Sequence, residues 1–331
     1  MAISRRAFAM TLHSEAPPQS LVGERVLVIG GRGFVGSHIV RALAAAGARP
    51  QLFGPPMAED RLADIAGAFD EYEGSIDSRD SLRDVLCASE ARTIVSCAAH
   101  GVGRLGLMKS GEADADTAMG INVMGLHKLL DSAREVNVRR VVWTSSTVVY
   151  GPSEIYASQP VDEQAPPAPT TFYGLTKTLA EEVAAYYVRR HGMSVVGLRL
   201  PLILGPGLWY AGAAAALAEL FEAAKVGAPY RLSFHDEKLD LMHVSDVGAA
   251  VLSVLRHAGK LDSIYNLAAF KARSSELIAE VKRQRPHTRI EVEMIPPSAL
   301  FPLISGASLC NDVGFQAPHD LQAFTKAMLA Q

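Results

Sequence analysis

A short apolar strand that runs straight into a glycine-rich turn and then a helix constrains this chain more than any other segment. Val26-Leu27-Val28-Ile29 is a continuous apolar run, the pattern of a strand covered on both faces. Gly30-Gly31-Arg32-Gly33-Phe34-Val35-Gly36 follows, and a helix is predicted over Gly36–Ala46, with Val35, Ile39, Val40 and Leu43 on one side. Glycines let a backbone turn tightly and approach a pyrophosphate, and a helix amino terminus adds N–H donors and partial positive charge. Gly30, Gly31, Arg32, Gly33, Phe34, Val35 and Gly36 are therefore read as a dinucleotide-binding loop.

Strand and helix patterns alternate beyond the loop. Strands are predicted at Pro50–Phe53, Thr93–Cys97, Val141–Thr144 and Val195–Leu200, and helices at Ser78–Ser89, Ala118–Val136 and Tyr173–His191. Such alternation predicts an α/β fold, a Rossmann-type doubly wound parallel sheet. Ligands of these sheets bind beyond the carboxyl ends of the strands. After Leu200 come a loop (Pro201–Pro206), an alanine-rich helix (Ala211–Lys225) and an apolar strand (Leu239–Val244). The expected division is a disordered leader over 1–20 and a dinucleotide-binding domain over 21–200, with 240–270 returning to it. Residues 201–239 and 271–331 would form a smaller substrate-binding lobe.

Composition excludes several classes. With 331 residues, 49% hydrophobic and 20% charged, the chain can bury a sizeable core. A net charge of −3 without a basic stripe argues against a nucleic-acid partner. Cys87, Cys97 and Cys310 lack paired or metal-like spacing and read as free thiols in a reducing compartment. The ten histidines also lack ligand spacing, so no metal is expected. Ser4-Arg5-Arg6-Ala7-Phe8 looks like a twin-arginine signal, but the apolar stretch behind it is short, and no stretch of about 20 apolar residues follows. The expectation is a cytoplasmic protein without a membrane partner.

Tyr173 and Lys177 carry the chemistry. Residues i and i+4 share a helix face, so the ammonium lies beside the phenol. Positive charge nearby favours phenolate and lowers the tyrosine pKa from about 10, making a usable acid–base group near neutrality. Ser146 lies between this pair and the glycine loop, at a predicted strand end.

Together these segments resemble the extended short-chain dehydrogenase/reductase family, also called the NAD-dependent epimerase/dehydratase family. The likeness runs from about Val26 to at least Leu267. It is carried by the glycine loop, Ala98-Ala99, Asn122-Val123-Met124-Gly125, Thr144-Ser145-Ser146-Thr147-Val148-Val149-Tyr150-Gly151, Tyr173-Gly174-Leu175-Thr176-Lys177 and Gly205-Pro206-Gly207. The resemblance implies that Tyr173 is the acid–base residue and that Lys177 binds the nicotinamide ribose. It also implies that Ser146 hydrogen-bonds the substrate oxygen and that Asn122 supports the geometry. Cofactor contacts are implied at Ser75, Ile76, Ala98, Ala99 and Pro201, and a homodimer across the helices at Ala118 and Tyr173.

Departures from the family shape the substrate. Dehydratases resemble an Asp-Glu pair where Thr147-Val148 stands here, so sugar dehydration is not expected. Leu202 and Leu239 replace the asparagine and arginine that hold sugar-nucleotide phosphates in relatives, and unpaired phosphate charge against an apolar wall is costly. Leu202–Leu204 with Leu208, Trp209 and Tyr210 resembles the pockets of reductases acting on apolar or phenolic substrates. Substrate contacts are expected at His100, Thr147, Val148, Leu202 and Leu204. The second strand ends in Phe53-Gly54-Pro55 without the usual ribose-binding carboxylate. Arg32 could pair with a 2′-phosphate, which favours NADP, with NAD left open. The expected activity is an NAD(P)-dependent oxidoreductase interconverting a secondary alcohol and a carbonyl on a small, partly apolar, non-nucleotide substrate. The alternatives are a sugar or nucleotide-sugar epimerase and a non-catalytic NAD(P)-binding regulator.

Overall fold

A computed structural model describes residues 19–57, 59–209, 212–297 and 300–330. The Ser4–Phe8 signal reading and the Tyr210 pocket reading lie outside these residues. Gln19 already donates its backbone N–H to the Arg256 carbonyl at 2.8 Å, so the chain is docked just before the expected leader ends at 20.

The first half of the chain runs β1 (Arg25–Ile29), α1 (Phe34–Ala45), β2 (Arg49–Gly54), β3 (Asp70–Glu73), α2 (Arg79–Ser89) and β4 (Thr93–Ser96). It continues through α3 (Leu107–Ala113), α4 (Ala115–Met119), α5 (Leu126–Glu135), β5 (Arg140–Ser146), α6 (Phe172–His191) and β6 (Val195–Leu200). Then follow β7 (Leu202–Leu204), α7 (Ala213–Val226), β8 (Tyr230–Phe234), β9 (Leu239–His243), α8 (Val244–Arg256) and β10 (Ile264–Asn266). The chain closes with β11 (Phe270–Ala272), α9 (Ser274–Gln284), β12 (Ile290–Met294), α10 (Ala307–Val313) and α11 (Leu321–Ala330).

Seven strands form one parallel sheet in the order β10-β6-β5-β4-β1-β2-β3. The order reverses between β1 and β4, which opens a crevice at their carboxyl ends. Alternate residues of β1 feed opposite layers, as the two-residue strand period requires. Val26 and Val28 pack with Val40, Leu43 and Val251, whereas Leu27 and Ile29 pack with Leu86, Leu129 and Val141. Each such fully buried aliphatic contributes about 1.5–3 kcal/mol.

A second cluster of elements sits over the carboxyl ends. β11, β9 and β7 form a three-stranded sheet, and β12 pairs with β8. Leu204, Leu217, Phe221, Leu277 and Phe324 form its core between α7, α9 and α11. The sequence placed 240–270 with the large sheet. Within that span α8 packs on α1 and β10 extends the large sheet beside β6, whereas β9 lies between β7 and β11 in the small sheet. Gly248 makes that helix contact, because a Cβ there would lie 2.8 Å from Ala42.

The predicted helix Ala118–Val136 is interrupted. Gly120–Gly125 winds as a wider π turn between α4 and α5. β3, with sequence Asp-Glu-Tyr-Glu, carries no apolar run and pairs only with β2 at the sheet edge.

Candidate active site

The glycine loop follows β1 at the switch point between β1 and β4. Gly30 has φ +73° and donates its N–H to the Phe53 carbonyl at 2.8 Å. A Cβ at Gly30 would lie 3.3 Å from the carbonyl carbon of Cys97, and one at Gly36 would lie 2.1 Å from the Gly30 oxygen. Only glycine lets loop and helix pass this closely. No side chain caps α1, and no acidic residue lies in its first turn, as an anion-accepting helix terminus needs. The cradle therefore fits a dinucleotide pyrophosphate. Gly31 packs against Leu52, and the Phe34 side chain is buried in the core, so Phe34 could serve a cofactor only through its backbone. Gly33 is the helix N-cap position and Val35 is half-buried.

Around this cradle, Ala98 and Ala99 follow β4 and are half-buried, and Pro201 is buried just after β6. Ser75 is half-buried beyond β3. Ile76 is wedged against the π turn, 3.0 Å from where a Cβ of Gly125 would sit.

Arg32 is not available in the way the sequence suggested. Its guanidinium donates to Glu71 Oε2 at 2.6 Å and to Asp60 Oδ1 at 2.8 Å. The hydrogen bond to Glu71, ahead of that to Asp60, raises Arg32 further above its ordinary range, and Arg32 in turn lowers Glu71. Its charge is already matched by two carboxylates.

The candidate acid–base groups come from β5 and α6. Thr171 caps α6, its Oγ1 accepting from the Gly174 N–H at 3.0 Å, and fixes where the helix starts. Gly174 then presses on the turn after β5, because a Cβ there would lie 2.4 Å from the Val148 oxygen. Ser146 ends β5 and caps that same turn, accepting from Val148 N–H at 3.4 Å. The Ser146 turn and the first turn of α6 are thereby brought together. Tyr173 lies in that first turn, 6% exposed. One turn on, Lys177 Nζ donates to the Thr144 carbonyl of β5 at 2.8 Å and lies 5.6 Å from the centroids of both Tyr173 and Trp143. Burial pushes the Lys177 ammonium down to about 8, against the opposing pull of Cys97 and Glu181. Burial likewise pushes the Cys97 thiol up to about 12.

Asn122 sits in the π turn and ties two parts of the site. Its Oδ1 accepts from the His100 N–H at 2.9 Å, and its Nδ2 donates to Thr176 Oγ1 at 2.9 Å. Turns of this wider type recur at functional sites. His100 is 8% exposed, and its buried Nε2 has no hydrogen-bond partner among the described residues. Thr147 and Val148 are half-buried in the turn against α6. Leu204 requires correction as a substrate contact, whereas Leu202 stays half-buried. Leu204 is fully buried, and both residues pack into the small-sheet core because β7 turns its even-numbered side chains that way. Trp209 lies under the Arg61 guanidinium, 4.3 Å from ring to cation, and Arg61 also donates to the Gly207 carbonyl at 3.4 Å.

One buried polar cluster behind these residues was missed in the sequence. Glu181 accepts from Ser145 Oγ at 2.6 Å and from Arg199 at 2.9 and 2.7 Å, and Arg199 donates to Tyr150 Oη at 2.6 Å. Tyr150 in turn donates to Asn266 Oδ1 at 2.8 Å. This buried chain locks α6, β5, β6 and β10 behind the site. The signal that could have found it is Glu181 itself, four residues after Lys177 on the same helix face.

Comparison with known proteins agrees with this geometry. The profile of the NAD dependent epimerase/dehydratase family matches residues 26–268. L-threonine 3-dehydrogenase from Bos taurus is 28% identical over 190 residues, covering 56% of this chain and 50% of that protein. UDP-glucose 4-epimerase from Rhizobium leguminosarum bv. trifolii is 31% identical over 185 residues, covering 54% and 52% respectively. The chain thus spans about half the length of the curated relatives it matches. Solved folds align nearly throughout. The L-threonine dehydrogenase of Cupriavidus necator gives a TM-score of 0.79 at 24% identity over 93% of this chain and 99% of that one. The Thermotoga maritima UDP-glucose 4-epimerase gives 0.80 at 19% over 92% and 97%. Glycine cradle, tyrosine–lysine pair and profile match coincide on one crevice, and the chain belongs to the NAD dependent epimerase/dehydratase family, within the extended short-chain dehydrogenase/reductases.

Proposed function

We propose that this protein is an NAD-dependent dehydrogenase that interconverts a secondary alcohol and a ketone on a small, non-nucleotide substrate. The observation that carries the reading is Lys177, buried and bonded to the Thr144 carbonyl beside Tyr173, at the sheet end where the glycine loop opens. The Gly30–Gly36 cradle would hold the pyrophosphate of the dinucleotide, and Ala98, Ala99, Pro201, Ser75 and Ile76 would contact the rest of it. A bound nicotinamide would supply hydride transfer to and from the substrate carbon. Tyr173 takes the hydroxyl proton as the carbonyl forms, Ser146 hydrogen-bonds the same oxygen, and Lys177 keeps positive charge beside the phenol. Asn122 acts as a positioning residue through His100 and Thr176. The unpartnered His100 Nε2 supports a substrate contact, since a buried polar atom without a partner is costly.

NAD replaces NADP as the expected cofactor. Asp60 and Glu71 already engage Arg32, and a 2′-phosphate brought there would face both carboxylates. Leu202 and Leu239 pack into the small-sheet core and offer no donor to a sugar-nucleotide phosphate. L-threonine, named in the relatives, carries its hydroxyl on a secondary carbon and belongs first in a substrate panel. The epimerase reading keeps support from the relatives named UDP-glucose 4-epimerase. Met124, Leu175, Leu179 and Tyr186 leave an apolar face exposed on the π turn and α6, which supports a homodimer there. Free thiols at Cys87, Cys97 and Cys310 fit a reducing cytoplasm, and among the described residues no helix is long and apolar enough to cross a membrane.

The test is a panel of secondary alcohols, beginning with L-threonine, assayed with NAD and NADP for reduced nicotinamide. NADH production with at least one alcohol is expected. Conversion of UDP-glucose to its epimer without net NADH would overturn the dehydrogenase reading.

A further inference from the structure

Histidines that lack ligand spacing along the chain nevertheless converge in space. His243 ends β9, Asp246 lies in the first turn of α8, and His319 comes from the segment before α11. One ligand atom from each lies within 4.8 Å of the others, in a site outside the catalytic crevice machinery. Asp246 and His243 are 1% and 5% exposed, whereas the His319 side chain is 22% exposed.

We propose that His243, Asp246 and His319 form a binding site for one first-row divalent cation, with zinc as the type ion. Two imidazole nitrogens and one carboxylate oxygen form a donor set that zinc takes with an open fourth position. Magnesium and calcium demand oxygen ligands and are poorly matched. The surroundings supply the orienting bonds such ligands need. His243 Nδ1 accepts from the Ser245 N–H at 3.3 Å and is paired with Ser245 Oγ at 2.7 Å, which holds the ring and leaves Nε2 as its ligand atom. Asp246 Oδ2 accepts from the His319 backbone N–H at 3.3 Å. Phe324 stands edge-on to the His243 ring at 6.1 Å, closing one wall with apolar surface. The two imidazole rings are 4.6 Å apart and inclined at 39°.

Without the ion, His319 Nδ1 and Asp246 Oδ1 share a hydrogen bond at 2.5 Å. A cation takes the place of that bond, so binding releases any proton held there. Zinc bonds at about 2.0–2.2 Å place tetrahedral ligand atoms roughly 3.3–3.5 Å apart. The trio must therefore tighten and the short pair must part slightly. His243 and Asp246 are anchored by β9 and α8, so the adjustment falls to His319 on its connecting segment. The ion would latch the carboxyl-terminal helix α11 to α8, the helix that packs on α1 behind the glycine loop.

The full chain, stripped with a chelator, is titrated with zinc by calorimetry and with cobalt by visible absorption, and its thermal unfolding is followed with and without zinc. One equivalent, a four-coordinate cobalt band and a rise of several degrees in Tm are expected. His319→Gln, which retains a hydrogen-bonding side chain but no imidazole, should weaken zinc binding at least about a hundredfold and lose the cobalt band. His287→Ala, at an exposed histidine elsewhere, should change neither. Absence of a tight equivalent in the parent chain, or unchanged affinity in His319→Gln, would mean that surface histidines bind the metal adventitiously and would overturn the site. Should His319→Gln not fold, His319→Asn is read by the same criteria, and failure of both to fold counts against an accommodating third ligand.

Discussion

Burial with 2% of its surface exposed works against the Lys177 ammonium, which donates to the Thr144 carbonyl at 2.8 Å. Its folded pKa of about 8 lies below the ordinary 10.5. Between those values the unfolded chain holds the proton and the folded chain has released it, so stability rises with pH across that window. Below pH 8 both states are protonated and the full desolvation cost remains. Lys177→Met should abolish this rise, and urea unfolding at pH 7 and pH 10 should separate the two proteins' pH responses by about 2–3 kcal/mol. Identical responses would place the ammonium in a better-solvated setting. Behind the site, Glu181→Ala would leave the Arg199 guanidinium, 3% exposed in its side chain, without its carboxylate. A loss of about 3–5 kcal/mol is expected in the same unfolding assay. The packing of Lys177 beside Tyr173 was legible from their four-residue spacing, read together with the glycine loop and Ser146. The Glu181–Arg199–Tyr150 chain was not, because its members meet only after α6, β6 and the turn after β5 are assembled.

Elements place these groups through close backbone passages that hydropathy does not record. Gly174 against the Val148 oxygen sets the distance between α6 and the Ser146 turn. Gly174→Ala should push the two apart and lower kcat by tenfold or more while NAD affinity stays within about twofold, since positioning terms act on the chemical step. Equal losses in both would locate the damage in the cofactor cradle instead. Strands covered on both faces were read correctly because their apolar runs are continuous. β3 was not, because an edge strand of Asp-Glu-Tyr-Glu has no apolar face to show. The π turn at Gly120–Gly125 also escaped, since an apolar repeat broken by one extra residue still reads as a single helix. Leu204 was assigned to the pocket because sequence order puts it after the crevice strand. Strand alternation then sends it to the other side.

For the whole molecule, the seven-stranded sheet reverses its order between β1 and β4, and the proposed cofactor site lies at that reversal. The exposed apolar face of Leu175, Leu179 and Tyr186 should be covered by a second copy. Leu179→Arg is expected to convert a dimer to a monomer in sedimentation velocity, and an unchanged profile would remove that face from the interface. Charge around the cradle should set cofactor choice. Asp60→Asn with Glu71→Gln frees Arg32 and should shift preference toward NADP by tenfold or more, read from paired titrations with NADH and NADPH. The most direct measurement compares the parent chain with Tyr173→Phe, following NAD binding by fluorescence and NADH production on the alcohol turned over best. Binding within about threefold and turnover reduced at least a thousandfold are predicted, in line with loss of the group that moves the proton. Comparable turnover in Tyr173→Phe would contradict the account.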